Sequence, residues 1–134
     1  MSRNLTWALT QGHNVNVVKR DGLVFSQERG NVMNVNSARF TPILNKKAVD
    51  VSIAPNGKTI SVSTTRRGAC CKPAKKWAST NIHNDQKTYA HLRNHLKTYG
   101  ADKNTIKLSQ KRAYILLRAI ARKNGKKQAP AKKD

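Results

Sequence analysis

The sequence predicts an α+β fold: a small antiparallel sheet of hairpins, followed by two C-terminal amphipathic helices and a basic tail. Three observations predict it. Apolar residues alternate with period two in the first half and recur with a period near 3.6 from about Asn84 onward. Asp21-Gly22 and Asn56-Gly57 each stand between two alternating runs, where a hairpin turn belongs. The strand patterns precede the helix patterns, which is the α+β order.

The elements follow in sequence. Leu5, Trp7 and Leu9 favour a short helix over an edge strand. In "VNVVKRDGLVFSQE", Val15 and Val17 alternate with polar residues, Asp21-Gly22 supplies a type I′ turn, and Leu23 to Phe25 begin the return strand. "RGNVMNVNS" is turn-rich and polar, hence a loop. "ARFTPILN" predicts a strand that Pro42 confines to an edge or a bulge.

"AVDVSIAPNGKTISVSTTRR" is the clearest hairpin. Val49, Val51 and Ile53 share one face, and Ile60, Val62 and Thr64 share a face of the returning strand. That strand leads into "RRGACCKPAKKWAST", residues 66–80, which reads as a basic arm. Tyr89, Leu92, Leu96 and Tyr99 then form one helical stripe with Gly100 as its stop. A last helix is capped by Asp102, or by Ser109 in a shorter version. Its apolar face is Ile106, Ala113, Leu116, Leu117, Ile120 and Ala121, and Gly125 ends it. Residues 1–123 make one α+β domain and 124–134 a basic, low-complexity tail.

Charge bounds the function. There are 27 Lys and Arg against 6 Asp and Glu, for a net charge of +21. Residues 1–65 carry +5 and residues 66–134 carry +16, so the first half reads as scaffold and the second as grip. A chain so charged repels itself and calls for a polyanion, with nucleic acid the usual one. With 37% hydrophobic and 5% aromatic residues, the core is small. No apolar run approaches the ~20 residues of a membrane span. The first residues lack a signal-peptide core, so an intracellular protein is expected.

The arm holds two adjacent cysteines, Cys70 and Cys71. Structural zinc sites space their cysteines by two to four residues, and neighbours hardly reach one ion, so no metal is expected even with His83, His91 and His95 nearby. The surrounding cations would activate a thiol, but no base or substrate motif accompanies it, and the cysteines read as small loop residues. The cations read differently. Arg66, Arg67, Lys72, Lys75 and Lys76 have no acidic neighbour in sequence. Pro73 stiffens the loop. Trp77 either stacks on a base or anchors the loop to the body.

His91 and His95 are four apart, but Leu92 stands where a metalloprotease needs Glu. Lys111, Arg118 and Arg122 run down one side of the last helix, flanked by Arg112 and Lys123, with no interleaved acid to pair with. That suits a phosphate backbone. It suits an anionic membrane surface less well, because the apolar stripe is needed to cover the sheet. The six acids (Asp21, Glu28, Asp50, Asp85, Asp102, Asp134) are scattered. No carboxylate pair, phosphate loop or nucleophile elbow is present, so neither an enzyme nor a cofactor is expected.

Several stretches together resemble a known family. They are Leu5-Thr6-Trp7, Lys19-Arg20, Ser37-Ala38-Arg39-Phe40, "NKKAVDV" (45–51), "NGKTISVSTTRRG" (56–68) and Lys72-Pro73-Ala74. In order and spacing over roughly residues 2–123 they are similar to the eukaryotic cytosolic large-subunit ribosomal protein family numbered twenty-eight. That family is unrelated to the bacterial one of the same number. The resemblance implies an α+β structural protein on the outer large subunit, without a reaction of its own. It implies binding to large-subunit ribosomal RNA and its expansion segments, beside neighbouring ribosomal proteins, on cytosolic ribosomes assembled in the nucleolus. No membrane or small-molecule substrate is implied.

Carried over by position, the RNA contacts are Lys19, Arg20, Lys46, Lys47, Arg66, Arg67 and Lys72. Lys75, Lys76, Trp77 and the helix cations rest on chemistry alone. Cys70-Cys71 departs from the family pattern. A nucleolar assembly factor resembles the same domain but has metal-spaced cysteines and an acidic extension, which this chain lacks. The rival readings are a free-standing nucleic-acid chaperone or assembly factor, and a cationic membrane-surface protein.

Overall fold

The computed structural model describes residues 2–66, 68, 72–83 and 87–128. Period-two alternation and tight turns build the first elements. After a short helix α1 (Arg3–Thr10), strands β1 (Val17–Arg20) and β2 (Leu23–Ser26) pair antiparallel. Asp21 and Gly22 have φ of 48° and 75°, the two positive values a type I′ turn requires. Val15 is not part of the strand and is fully exposed. A turn around Asn14 precedes β1: its carbonyl accepts the Val17 N–H and its side chain accepts the Asn16 N–H.

The expected strand over residues 38–45 is absent, and two turns occupy it. Local side chains satisfy the backbone there in place of a strand partner. The Ser37 carbonyl accepts the Phe40 and Thr41 N–H groups, and Asn45 Nδ2 donates to the carbonyls of Arg39 and Thr41. Thr41 Oγ1 donates to the buried Glu28 carboxylate at 2.8 Å, and Asn14 donates to the same carboxylate. Glu28 thereby ties three loop segments together.

The main sheet has the order β3 (Val49–Ile53), β4 (Ile60–Thr65), β5 (Trp77–Ile82), all antiparallel. The register sets Val49 against Thr64, Val51 against Val62 and Ile53 against Ile60, as the alternation requires. The loop between β3 and β4 is wider than a two-residue turn. Gly57 has φ +67°, and Asn56 Oδ1 accepts from the Lys58 and Thr59 N–H groups and the Thr59 hydroxyl.

Strand β5 falls inside the segment read as an arm. Trp77 to Thr80 belong to the sheet, so the arm is a shorter hairpin loop between β4 and β5. A turn of 3₁₀ helix over Pro73–Lys75 shapes it. Helix α2 (Thr88–Tyr99) stops where expected. Gly100 takes φ +76°, its N–H bonds the Lys97 carbonyl, and the Ala101 N–H bonds the Leu96 carbonyl, a Schellman closure.

Helix α3 (Lys103–Gln128) starts directly after Asp102, whose carbonyl accepts the Ile106 N–H. It does not stop at Gly125. One glycine costs a helix only about 1 kcal/mol. Ser109 lies within this helix, fully buried, and donates to the Thr105 carbonyl.

The core lies between the main sheet and the two C-terminal helices. Val49, Val51, Ile60, Val62 and Ile82 of the sheet meet Leu92, Leu96, Ile106, Ala113, Leu117 and Ile120. Of the expected α3 face, Leu116 is half-buried and Ala121 is exposed.

Candidate nucleic-acid interface

Strand register builds the first part of the interface. Thr65 pairs with Trp77, and the Arg66 N–H donates to the Lys76 carbonyl at 2.8 Å. Both ends of the basic loop are therefore held at one point, and Arg66 and Lys76 sit side by side despite the residues between them. Lys72 and Lys75 project from the loop, exposed. Arg67, Cys70 and Cys71 lie outside the described residues.

One hydroxyl positions the wall opposite. Thr65 Oγ1 has a single proton, donated to the Lys46 carbonyl at 2.9 Å. It accepts the Ala48 N–H at 3.2 Å, and so it must also accept the Tyr99 hydroxyl at 2.6 Å. The end of β4, the segment leading into β3 and the end of α2 are thus fastened to one side chain. Lys47 Nζ donates to the Gly100 carbonyl at 2.8 Å, capping α2 with a cation where its dipole favours one.

A cleft of about 1160 Å³ results. Lys46, Lys47, Arg66 and Lys76 line it, together with Pro42, Ile43 and Tyr99. Four of the sequence-predicted cations, drawn from three segments, thus meet at one concave surface. Sequence reasoning missed Ile43, because the segment was read as a strand, and it took Tyr99 only as part of a core stripe.

The second group lies on α3. Lys111, Arg118, Arg122 and Lys123 are exposed. Tyr114 and Ile115, 51% and 65% exposed, stand among them, and the Arg118 guanidinium lies 5.7 Å from the Tyr114 ring centre. Their helical spacing from Lys111 was the available signal, and it was not used.

Arg112 does not join that stripe. Its Nε donates to the Val51 carbonyl at 2.9 Å. One terminal nitrogen serves the Asn31 and Val32 carbonyls and Asn34 Oδ1 at 3.2, 2.9 and 3.0 Å. The other lies 3.8 Å from the Asp50 carboxylate. The guanidinium clamps α3 to β3 and to the loop after β2.

Trp77 is half-buried, with the Arg29 guanidinium 4.9 Å from its ring centre. A Cβ at Gly30 would fall 2.5 Å from Trp77 Cη2, so the indole rests on that glycine. Lys19 and Arg20 are exposed at the turn end of the β1–β2 hairpin. Among the described residues, the ion pairs engage Arg39 with Asp102 and Arg112 with Asp50, and the other cations named here have no carboxylate within 4 Å.

The histidines do not gather. Among the described residues no three His, Cys, Asp or Glu side chains could hold a metal ion. No helix among them is long and apolar enough to cross a membrane.

Comparison with known proteins supplies the remaining finding. The model of the ribosomal L28e protein family matches residues 5–130. The large ribosomal subunit protein eL28 of Schizosaccharomyces pombe is 32% identical over 123 residues, covering 87% of this chain and 91% of that protein. The eL28 protein of Caenorhabditis elegans is 29% identical over 125 residues, covering 92% and 94%. That of Dictyostelium discoideum is 30% identical over 89 residues, covering 66% and 67%.

Proposed function

The chain belongs to the ribosomal L28e protein family, and from that premise we propose that it is a structural constituent of the large ribosomal subunit. The observation that carries this is the family match along nearly the whole chain. In this reading it binds and stabilises large-subunit ribosomal RNA, including expansion segments, beside neighbouring ribosomal proteins. It works in the cytosolic ribosome after assembly in the nucleolus. It has no reaction of its own, no cofactor, no small-molecule substrate and no membrane partner.

The physical support is the disposition of charge. Lys46 and Arg66 in the cleft, Lys72 and Lys75 on the loop, and Lys111, Arg118, Arg122 and Lys123 on α3 are exposed, with the half-buried Lys76 beside them, and none has a carboxylate partner among the described residues. Lys19, Arg20 and Arg67 extend the same grip. Such groups bind phosphates and release counterions, which gives affinity and register, while RNA shape gives specificity. Arg112 supports the grip indirectly by holding α3 in place, and Trp77 fixes the base of the loop.

Sedimentation of cell extract in a sucrose gradient, repeated after a high-salt wash, tests this. The protein is expected to stay with the large subunit at one copy per particle. Release by the wash, or migration in the light fractions, would instead assign it to a chaperone or assembly factor.

A further inference from the structure

We infer that the cleft between the β4–β5 loop and the end of α2 holds an unpaired ribosomal RNA nucleotide turned out of its helix. This deepens the RNA-binding reading above and rests on it. A duplex backbone needs only cations on a convex face, and α3 already offers that. The cleft offers something different. Its lining combines Lys46, Arg66 and Lys76 with Pro42, Ile43 and Tyr99. Ile43 is 50% exposed in the free chain, an apolar side chain held open to solvent beside three cations.

A base outside the stack has an apolar face to bury and a charged phosphate to neutralise, and this lining matches both. The volume suffices: pockets for small molecules run from ~300 to 1,000 Å³, and this one is about 1160 Å³.

The walls are also preorganised. The Tyr99 hydroxyl is held by Thr65, which fixes the ring in the lining. Lys47 is occupied by the Gly100 carbonyl and serves as wall. The backbones of Arg66 and Lys76 are joined by one hydrogen bond, so their side chains start from one point. A lining whose backbone is already ordered lowers the cost of capturing one nucleotide. The occupant is RNA rather than an acidic peptide, because the same molecule carries a second, α-helical cationic face suited to a polyphosphate backbone.

The test is ultraviolet crosslinking of purified large subunits carrying the full chain, with the adducts mapped by mass spectrometry on both the peptide and the RNA. Adducts are expected on the peptide holding Ile43 or on that holding Tyr99, at a nucleotide unpaired in the ribosomal RNA. Ile43→Asp, a surface substitution, should lower those adducts roughly tenfold, because it removes apolar lining and sets a carboxylate against the phosphate. Adducts on α3 should change less than about twofold, because phosphate contacts there are independent. Adducts on α3 or the loop but none in the cleft would overturn the inference and leave the ribosomal role intact. Cleft adducts to a protein neighbour would overturn it in favour of an acidic segment. Absence of the chain from the subunit would overturn the ribosomal role itself.

Discussion

The outer face of α3 and the cleft beside β4 both present cations, but they come by them in different ways. On α3 a single helical period aligns Lys111, Arg118 and Arg122, and one regular element suffices. In the cleft Lys46, Arg66 and Lys76 come from segments far apart in sequence and meet only because Thr65 pairs with Trp77 and fastens Lys46 and Tyr99. The helix face is one continuous cationic surface. The cleft is an assembled site, and its integrity depends on tertiary contacts. Arg112 belongs to neither: one residue from Lys111, it turns inward and ties α3 to β3 and to the loop after β2.

That contrast makes ordered predictions. Arg112→Ala should have the largest effect. It removes the donor from the carbonyls of Val51 and Val32, weakens the bonding of the Asn31 carbonyl, and takes the cation from Asp50. The expected loss is roughly 3 kcal/mol, discounted for the guanidinium's partial exposure. It is read from denaturant unfolding of the free protein. Arg118→Ala, with its exposed side chain, should stay within about 0.5 kcal/mol in the same assay. Equal losses for the two would erase the distinction drawn here.

Gly30→Ala should follow. The new methyl would meet Trp77 Cη2 at 2.5 Å and Ala48 Cβ at 3.1 Å, at a φ of +99° that disfavours any side chain. Overpacking and backbone strain together predict a loss of about 2 kcal/mol. Thermal unfolding followed by tryptophan fluorescence checks it, since the indole itself must move.

Tyr99→Phe should be the smallest stability change, about 1 kcal/mol for one hydrogen bond. Its interest is local. The Thr65 hydroxyl keeps its bonds to Lys46 and Ala48, so the fold should persist while the cleft wall loosens. Faster hydrogen exchange at the end of α2, with the β3–β4 pairing unchanged, is the expected pattern. Uniform acceleration across the sheet would argue that the hydroxyl holds the whole domain.

Much of this architecture was legible in the sequence, and the illegible parts share a cause. Asp21-Gly22, Asn56-Gly57 and Gly100 carry local backbone demands, so both hairpins and the end of α2 could be placed. Strand β5 could not, because "WASTNI" alternates weakly and exists as a strand through pairing with β4. Residues 38–45 look like a strand by composition, but Ser37, Thr41 and Asn45 bond their own backbone into turns.

The sequence groups Arg112 with the other helix cations, whereas its guanidinium is engaged inside the fold. Nothing local distinguishes Arg112 from Arg118. The difference lies in carbonyls that the fold brings to one and not to the other. Ile43 and Tyr99 were invisible as site residues for the same reason, since the cleft they line has no linear counterpart.

In the proposed reading the outward cations grip ribosomal RNA while Arg112 holds the fold. The most direct measurement is the salt dependence of binding between the full chain and large-subunit ribosomal RNA, repeated with three variants. Each lost phosphate contact should reduce the slope of log affinity against log salt by about one. Lys111→Ala/Arg118→Ala/Arg122→Ala should therefore lower the slope by about three, and Lys46→Ala/Arg66→Ala by about two. Arg112→Lys should leave it unchanged under conditions where that variant is folded. Equal slopes for wild type and both multiple variants, or a slope lowered by Arg112→Lys, would contradict the account.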